Sequence, residues 1–340
     1  MNARVPSGTP RCVLVTGASG LLGGAVAALL RAKGHHVRTF QRGASDAATD
    51  EVLGSLSDPA AVRRAVDSMD AVIHLAAKVS FTGEWRDFVA TNITGTNTLL
   101  EAATEAGVRD FVFVSSPSVA HFGEPLAGAG SGVADPDRAR GNYARSKAAA
   151  ELSALARDCA DFKVTAIRPH VVWGPGDTQL VERVIERARS GRLPLLDHGA
   201  ALIDTTYVDN AAAGIVRGLE RMDQAHGRAL VITNGEPRTV AELMAGICAA
   251  GGVPAPRLNV PGWLARGAGS LIERIWLAAG NLVHDEPPMT RFLAEQLSTA
   301  HWFDQRETRE VLDWTPQVSL DEGMARLAAH YGGTGAEETS

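Results

Sequence analysis

The chain of 340 residues is poor in the features that mark several functional classes. It has three cysteines, Cys12, Cys159 and Cys248, and none stands in a CxxC or metal-ligand spacing. No metal site is expected, and the thiols read as buried and reduced, in a cytoplasmic setting. Basic residues are not in excess: 33 Lys and Arg face 39 Asp and Glu, for a net charge of −6. A nucleic-acid groove therefore finds no support. No apolar run reaches the ~18 residues that span a bilayer. The nearest stretch, Pro261 to Val283, is interrupted by Arg266, Glu273 and Arg274. It reads as an amphipathic helix that packs on its own protein or touches a membrane surface. Residues 1–10 hold Pro6, Ser7, Gly8 and Pro10, lack the apolar core of a signal peptide, and read as a flexible start. Repeats and low-complexity segments are absent before the tail, 332–340, which is expected to fray.

What is present is a pattern of alternation. Hydrophobic residues make up 45% of the chain and charged ones 21%, as in a globular protein. Short apolar runs fall at Cys12–Gly17, His36–Phe40, Ala71–Ala77, Asp110–Ser116 and Lys163–Pro169. Helical patterns lie between them, at Leu22–Ala32, Pro59–Ser68, Phe88–Ala106 and Tyr143–Cys159. Apolar strands alternating with helices predict an α/β fold with a doubly wound parallel sheet over residues 11–170. Beyond residue 170 Pro and Gly become frequent, and residues 171–331 read as a smaller, mixed lobe. Later strands near Asp204–Val208 and Ala229–Thr233 are expected to rejoin the main sheet.

The first apolar run leads into TGASGLLGG, where Gly17, Gly20 and Gly23 are three residues apart. Gly17 permits a tight turn, Gly20 lets a phosphate approach the backbone, and Gly23 lets the helix pack on the strand. The free N–H groups of the helix start, from Leu21 and Leu22 onward, then face a pyrophosphate. The context of strand, glycines and helix makes this a dinucleotide cradle. The second run reads HVRTFQRG and carries no Asp or Glu for a ribose 2′-hydroxyl. Arg42 stands where a 2′-phosphate would lie, with Ser19 of the glycine loop as a second contact. NADP(H) is therefore favoured over NAD(H).

Residues 142–147 read NYARSK. Tyr143 and Lys147, four apart on a helix, share a face. The lysine charge is expected to lower the tyrosine pKa and to reach the nicotinamide ribose. Such a tyrosine exchanges the proton of an alcohol while hydride moves at carbon. Ser115 and Ser116 end the preceding strand, where open α/β sheets place their ligands. One of the two hydroxyls is expected to bond a substrate carbonyl.

Together, TGASGLLG, HLAA, the Asn92 helix, VSSPSV, YARSK and RPHVVWGPGD resemble the extended short-chain dehydrogenase/reductase superfamily over residues 11–330. The resemblance implies a Rossmann-type fold and assigns roles. Ser116, placed by the pair Val119–Ala120, would be the catalytic serine, with Tyr143 as acid/base and Lys147 as its partner. Asn92 would lie beside the cofactor. Ala76, Ala77, Lys78, Ser115, Pro169 and Val171 would line it, with His170 beside Val171. Where the family has Gly-Asp-Leu near the adenine, this chain has Gly54, Ser55 and Leu56. Homodimers built on the helices beginning near Phe88 and Tyr143 are a further implication.

Segments 168–177, 204–212 and 286–304 are similar to the branch containing 3β-hydroxysteroid dehydrogenases. SSPSV with FQRG is similar to its bacterial 2-alkyl-3-oxoalkanoate reductases of long-chain olefin biosynthesis. The implied reaction is reduction of a β-oxo acid by NADPH, with a fatty-acid-like or sterol-like apolar substrate. Sterol oxidation, a sugar-nucleotide epimerase or dehydratase, and a dinucleotide-binding regulator without turnover are the alternatives. Trp173, Leu180, Trp263, Leu264, Ile272, Trp276, Met289 and Phe292 are candidates for an apolar wall. His121, Arg145 and Arg291 are candidate partners for a carboxylate.

Overall fold

The computed structural model describes residues 9–44, 50–80, 83–265, 267 and 297–334. The expected flexible start, most of Pro261–Val283, and Ile272, Trp276, Met289, Arg291 and Phe292 lie largely or wholly outside the described residues.

Seven parallel strands form the main sheet: β1 (Cys12–Thr16), β2 (His36–Gln41), β3 (Asp50–Leu53), β4 (Ala71–His74), β5 (Asp110–Val114), β7 (Lys163–Pro169) and β12 (Ala229–Ile232). Their spatial order is β12-β7-β5-β4-β1-β2-β3. The order reverses between β1 and β4, so both flanking loops open onto one crevice at the strands' carboxyl ends. Strands such as Val13–Val15 and Phe111–Val114 are apolar at successive positions because helices cover both faces. On one face α1 (Leu21–Ala32) packs against α7 (Val208–Glu220). On the other, α2 (Pro59–Val66), α4 (Gly95–Glu105) and α5 (Gly141–Leu155) cover Leu14, Phe40, Phe111 and Phe113. Each such side chain withdrawn from water contributes about 1.5–3 kcal/mol.

The long helix expected over Phe88–Ala106 is built differently. A short α3 (Trp85–Phe88) passes through a π-helical turn, Val89–Thr94, before α4 begins. That turn carries Asn92 inward, where it is buried. Strand β3 had no counterpart among the expected runs. Of the later strands, Ala229–Ile232 joins the main sheet, but β11 (Thr206–Tyr207) pairs with β8 (Val172–Trp173) instead. This pairing is set by Thr206, whose hydroxyl and amide bond the carbonyls of His170 and Val171.

The smaller lobe contains the sheet β13-β10-β15-β6, made of β6 (Leu126–Ala129), β10 (Leu202–Ile203), β13 (Arg238–Thr239) and β15 (His301–Phe303). A further pair joins β9 (Pro194–Leu196) to β14 (Leu258–Val260). Helices α6 (Val181–Arg189), α9 (Val240–Ala250) and α11 (Leu320–Thr334) close a separate apolar cluster around Trp173. Two short helices, α8 (Met222–Ala225) and α10 (Arg306–Leu312), brace β7 and β12. Among the described residues no helix is long and apolar enough to cross a membrane.

Candidate active site

The glycine loop answers three distinct steric demands. Gly17 has φ +75°, and a Cβ there would lie 2.9 Å from the Ala76 amide nitrogen. At Gly23 a Cβ would fall 2.2 Å from the Gly17 carbonyl oxygen, so the helix rests directly on the loop. A Cβ at Gly20 would find no protein atom nearer than 3.6 Å. Helix α1 starts there with no side-chain cap and no acidic residue in its first turn. Its amides, at Leu21 and Leu22, are left for an anion. Ser19 is exposed in the same loop.

Thr16 ties this loop to the next. Its hydroxyl accepts from the amides of Leu75 (3.1 Å) and Ala76 (3.0 Å). Its proton is then left for His74 Nδ1, at 2.7 Å, and His74 Nε2 donates to Thr96 Oγ1 at 3.0 Å. Burial, with the Lys147 charge adding to it, holds His74 down at about 3, which keeps this tautomer neutral. The loop holding Ala76, Ala77 and Lys78 is secured further on by Asn92. The Asn92 amide accepts from the Lys78 N–H at 2.7 Å and donates to the Ser146 hydroxyl at 2.9 Å. Asn92 thus joins the loop after β4 to helix α5, one residue before Lys147.

Farther out on the sheet, Arg42 is exposed directly after β2. Ser55 turns to Ser57, with hydroxyls 2.9 Å apart, while Leu56 is buried against Gly95. Ser115 is buried with an unpartnered hydroxyl. Pro169 is buried at the end of β7, and Val171 adopts φ +41°, a strained conformation for a β-branched residue. An exposed glycine, an uncapped helix and an orphaned hydroxyl along one crevice fit a dinucleotide.

Tyr143 and Lys147 both lie on α5, and Tyr143 shares a side-chain hydrogen bond with Ser116. Burial pushes Tyr143 up to about 12, with the Ser116 bond opposing it. The lowering by Lys147 expected from the spacing is not among the influences on the tyrosine. Lys147 instead donates to the Val114 carbonyl at 2.7 Å and sits 4.0 Å from the Phe113 ring centre. Its own burial brings it down to about 7, against the pull of Glu151. At neutral pH Tyr143 is therefore protonated and holds a proton to give.

A cavity of about 350 Å³ opens beside Ser116 and Tyr143. Its walls are mostly apolar, with Leu126, Leu180, Val184, Ile203, Leu243 and Phe303 among them. Of the expected wall residues that are described, Leu180 lines it. Trp173 is fully buried in the lobe core, its indole N–H bonded to Thr205 at 2.9 Å. Trp263 and Leu264 are exposed, at 70% and 48%. Among the carboxylate candidates, His121 lines the cavity, whereas Arg145 stacks on Trp85 at 4.7 Å, outside it. The cavity also draws in His170, His301, Arg183 and Arg187, which sequence reasoning missed as substrate-side groups. The two arginines are four apart on the polar-rich helix VERVIERAR, a period that could have flagged them. Among the described residues no cluster suited to a metal ion occurs.

Comparison with known proteins places this geometry. The model of the NAD dependent epimerase/dehydratase family matches residues 13–233. A 2-alkyl-3-oxoalkanoate reductase of Stenotrophomonas maltophilia is 38% identical over 93% of this chain and 98% of its own. A sterol-4-alpha-carboxylate 3-dehydrogenase, decarboxylating, of Mus musculus is 27% identical over 94% and 91%. A 3 beta-hydroxysteroid dehydrogenase/Delta 5-->4-isomerase of Mycobacterium tuberculosis is 30% identical over 94% and 90%. In fold, the crystal structure of gox2253 superposes with a TM-score of 0.76 at 24% identity, covering 96% of this chain and 99% of its own. The span of the family match and the identity to full-length reductases together make this chain a member of the NAD dependent epimerase/dehydratase, or extended short-chain dehydrogenase/reductase, family, and an oxidoreductase with a nicotinamide cofactor.

Proposed function

We propose that the protein reduces a 2-alkyl-3-oxoalkanoate to the 3-hydroxy acid, with NADPH as reductant. The observation that carries this is the mostly apolar cavity that opens on the hydrogen-bonded Ser116–Tyr143 pair. Two of the relatives' names describe a related pattern: an oxygen function on one carbon and a carboxylate on its neighbour. A sugar-nucleotide substrate would meet a largely apolar wall here.

When bound, the cofactor supplies a hydride. Gly20 and the amides opening α1 would hold its pyrophosphate, Arg42 its 2′-phosphate, and Lys147 its ribose. Ser116 and Tyr143 donate hydrogen bonds to the 3-oxo oxygen and polarise the carbonyl. As negative charge develops on that oxygen, Tyr143 transfers its proton there. The apolar walls exclude water and seat the alkyl chains.

The test is NADPH oxidation with a 2-alkyl-3-oxo fatty acid, beside the reverse assay on a 3β-hydroxysteroid. Turnover of the oxo acid is expected, and Tyr143→Phe should lower it by about 10²–10⁴-fold while the protein still binds NADPH. Turnover of the steroid alone would transfer the assignment to a sterol dehydrogenase.

A further inference from the structure

The reacting corner of the cavity carries a second serine hydroxyl that hydride transfer does not require. Ser118 follows Ser116 in the 3-10 turn Pro117–Ala120, and both line the cavity. Their hydroxyl oxygens lie 2.9 Å apart, and the Ser118 amide donates to Ser116 Oγ at 3.3 Å. A turn of this kind needs one serine as its cap, and Ser116 already serves. The second hydroxyl faces the same space at a fixed spacing from the first.

That spacing has a chemical counterpart. In the closed conformer of a 1,3-dioxygenated unit, the two oxygens lie at the separation of an O–H···O hydrogen bond, about 2.5–3.0 Å. The two serine hydroxyl oxygens, hydrogen-bonded to each other at 2.9 Å, have the spacing of two such oxygens. Two of the nearby imidazoles each have one nitrogen committed to a backbone carbonyl. His170 Nδ1 donates to the Asp204 carbonyl at 2.7 Å, and His121 Nε2 donates to the Glu124 carbonyl at 2.8 Å. Burial holds His170 down at about 4, so its ring is neutral and its other nitrogen is an acceptor. Ser118 stands from Ser116 at the spacing that a carboxyl oxygen on the neighbouring carbon would have from the C3 oxygen.

We infer that Ser118 is a specificity residue: its hydroxyl binds the C1 carboxyl oxygen of a β-oxygenated acid while Ser116 and Tyr143 hold the oxygen on C3. The inference rests on the reduction proposed above and adds to it the group that distinguishes such acids from simple ketones and sterols. Ser118→Ala leaves the amide bond to Ser116 in place, so the C3 oxygen keeps its donors.

Calorimetric titration of the NADP-loaded protein tests this with two stable probes. One is a 2-alkyl-3-hydroxy acid; the other is the secondary alcohol of the same skeleton without the carboxyl group. The wild type should prefer the acid. Ser118→Ala should weaken acid binding about tenfold or more and leave the alcohol unchanged, and Ser118→Thr should restore the preference. Equal weakening of both probes, an acid preference that survives Ser118→Ala, or no preference in the wild type would overturn the assignment. Turnover of the 2-alkyl-3-oxo acid is measured separately. A Ser118-dependent preference without turnover would remove the reduction and keep the recognition.

Discussion

Gly17, Gly20 and Gly23 look alike in sequence and differ in what a methyl group would meet. A Cβ at Gly23 collides with the Gly17 carbonyl at 2.2 Å, whereas one at Gly20 comes no nearer that oxygen than an ordinary 3.6 Å. Gly23→Ala should therefore cost about 1–3 kcal/mol of stability as α1 is pushed from its loop. Gly20→Ala should unfold at the wild-type urea midpoint, yet bind NADPH about tenfold or more weakly in a fluorescence titration. Arg42 gives the matching test on the adenosine side. Arg42→Ala should raise the dissociation constant for NADPH by about tenfold or more and leave that for NADH nearly unchanged, since only the 2′-phosphate offers a charge-assisted partner. Equal effects on the two cofactors would remove Arg42 from the 2′-phosphate site. The glycine loop was legible because its three glycines fall in one short pattern between a strand and a helix.

Helix α5 carries Tyr143, Lys147 and Glu151 at successive intervals of four, so all three lie toward one face. Glu151 forms a buried ion pair with Arg168 of β7, each side chain about 1% exposed. Arg168 also donates to the carbonyl oxygens of Ser131 and Gly132, so the pair ties α5, β7 and the segment after β6 together. Removing one partner leaves the other charge buried: Glu151→Gln should cost about 3–5 kcal/mol in urea unfolding. A loss under 1 kcal/mol would show that water reaches Arg168. The sequence pointed to α5 because its spacing is local. It concealed the π-turn at Asn92, since the helical period continues on both sides of Val89–Thr94 and the extra residue leaves no mark in it.

At the scale of the whole molecule, buried titratable groups set how stability depends on pH. Burial depresses His74 and His301 to about 3 and His170 to about 4. Their contribution is fully present above pH 6.5 and is lost as the pH falls toward those values. Asp204 runs the other way: burial raises it to about 6, so its contribution is present below pH 3.8 and is lost as pH rises through 6. Between pH 6 and 4 three histidines oppose one aspartate. The unfolded chain then binds about two more protons, and stability should fall by roughly 3 kcal/mol per pH unit from these groups. His74→Gln should halve that slope in urea titrations at pH 5.8, 5.3 and 4.8; an unchanged slope would mean that His74 is protonated in the native state.

The sequence alone determined the alternating α/β class, the glycine loop, and the positions of Ser116, Tyr143 and Lys147, because each depends on a short-range pattern: a period, a required φ, or four residues along a helix. The tertiary structure decided the rest. Residues as distant as Val79, Ser118, His170, Met244 and His301 meet around one cavity. Trp173 lies in the core and not in the cavity wall because Thr205 and helices α9 and α11 enclose it. Lys147 bonds Val114 and leaves the tyrosine to be tuned by burial, which no spacing reports. Burial and long-range contact depend on how the whole chain closes, and a linear pattern records only which residues are available to take part.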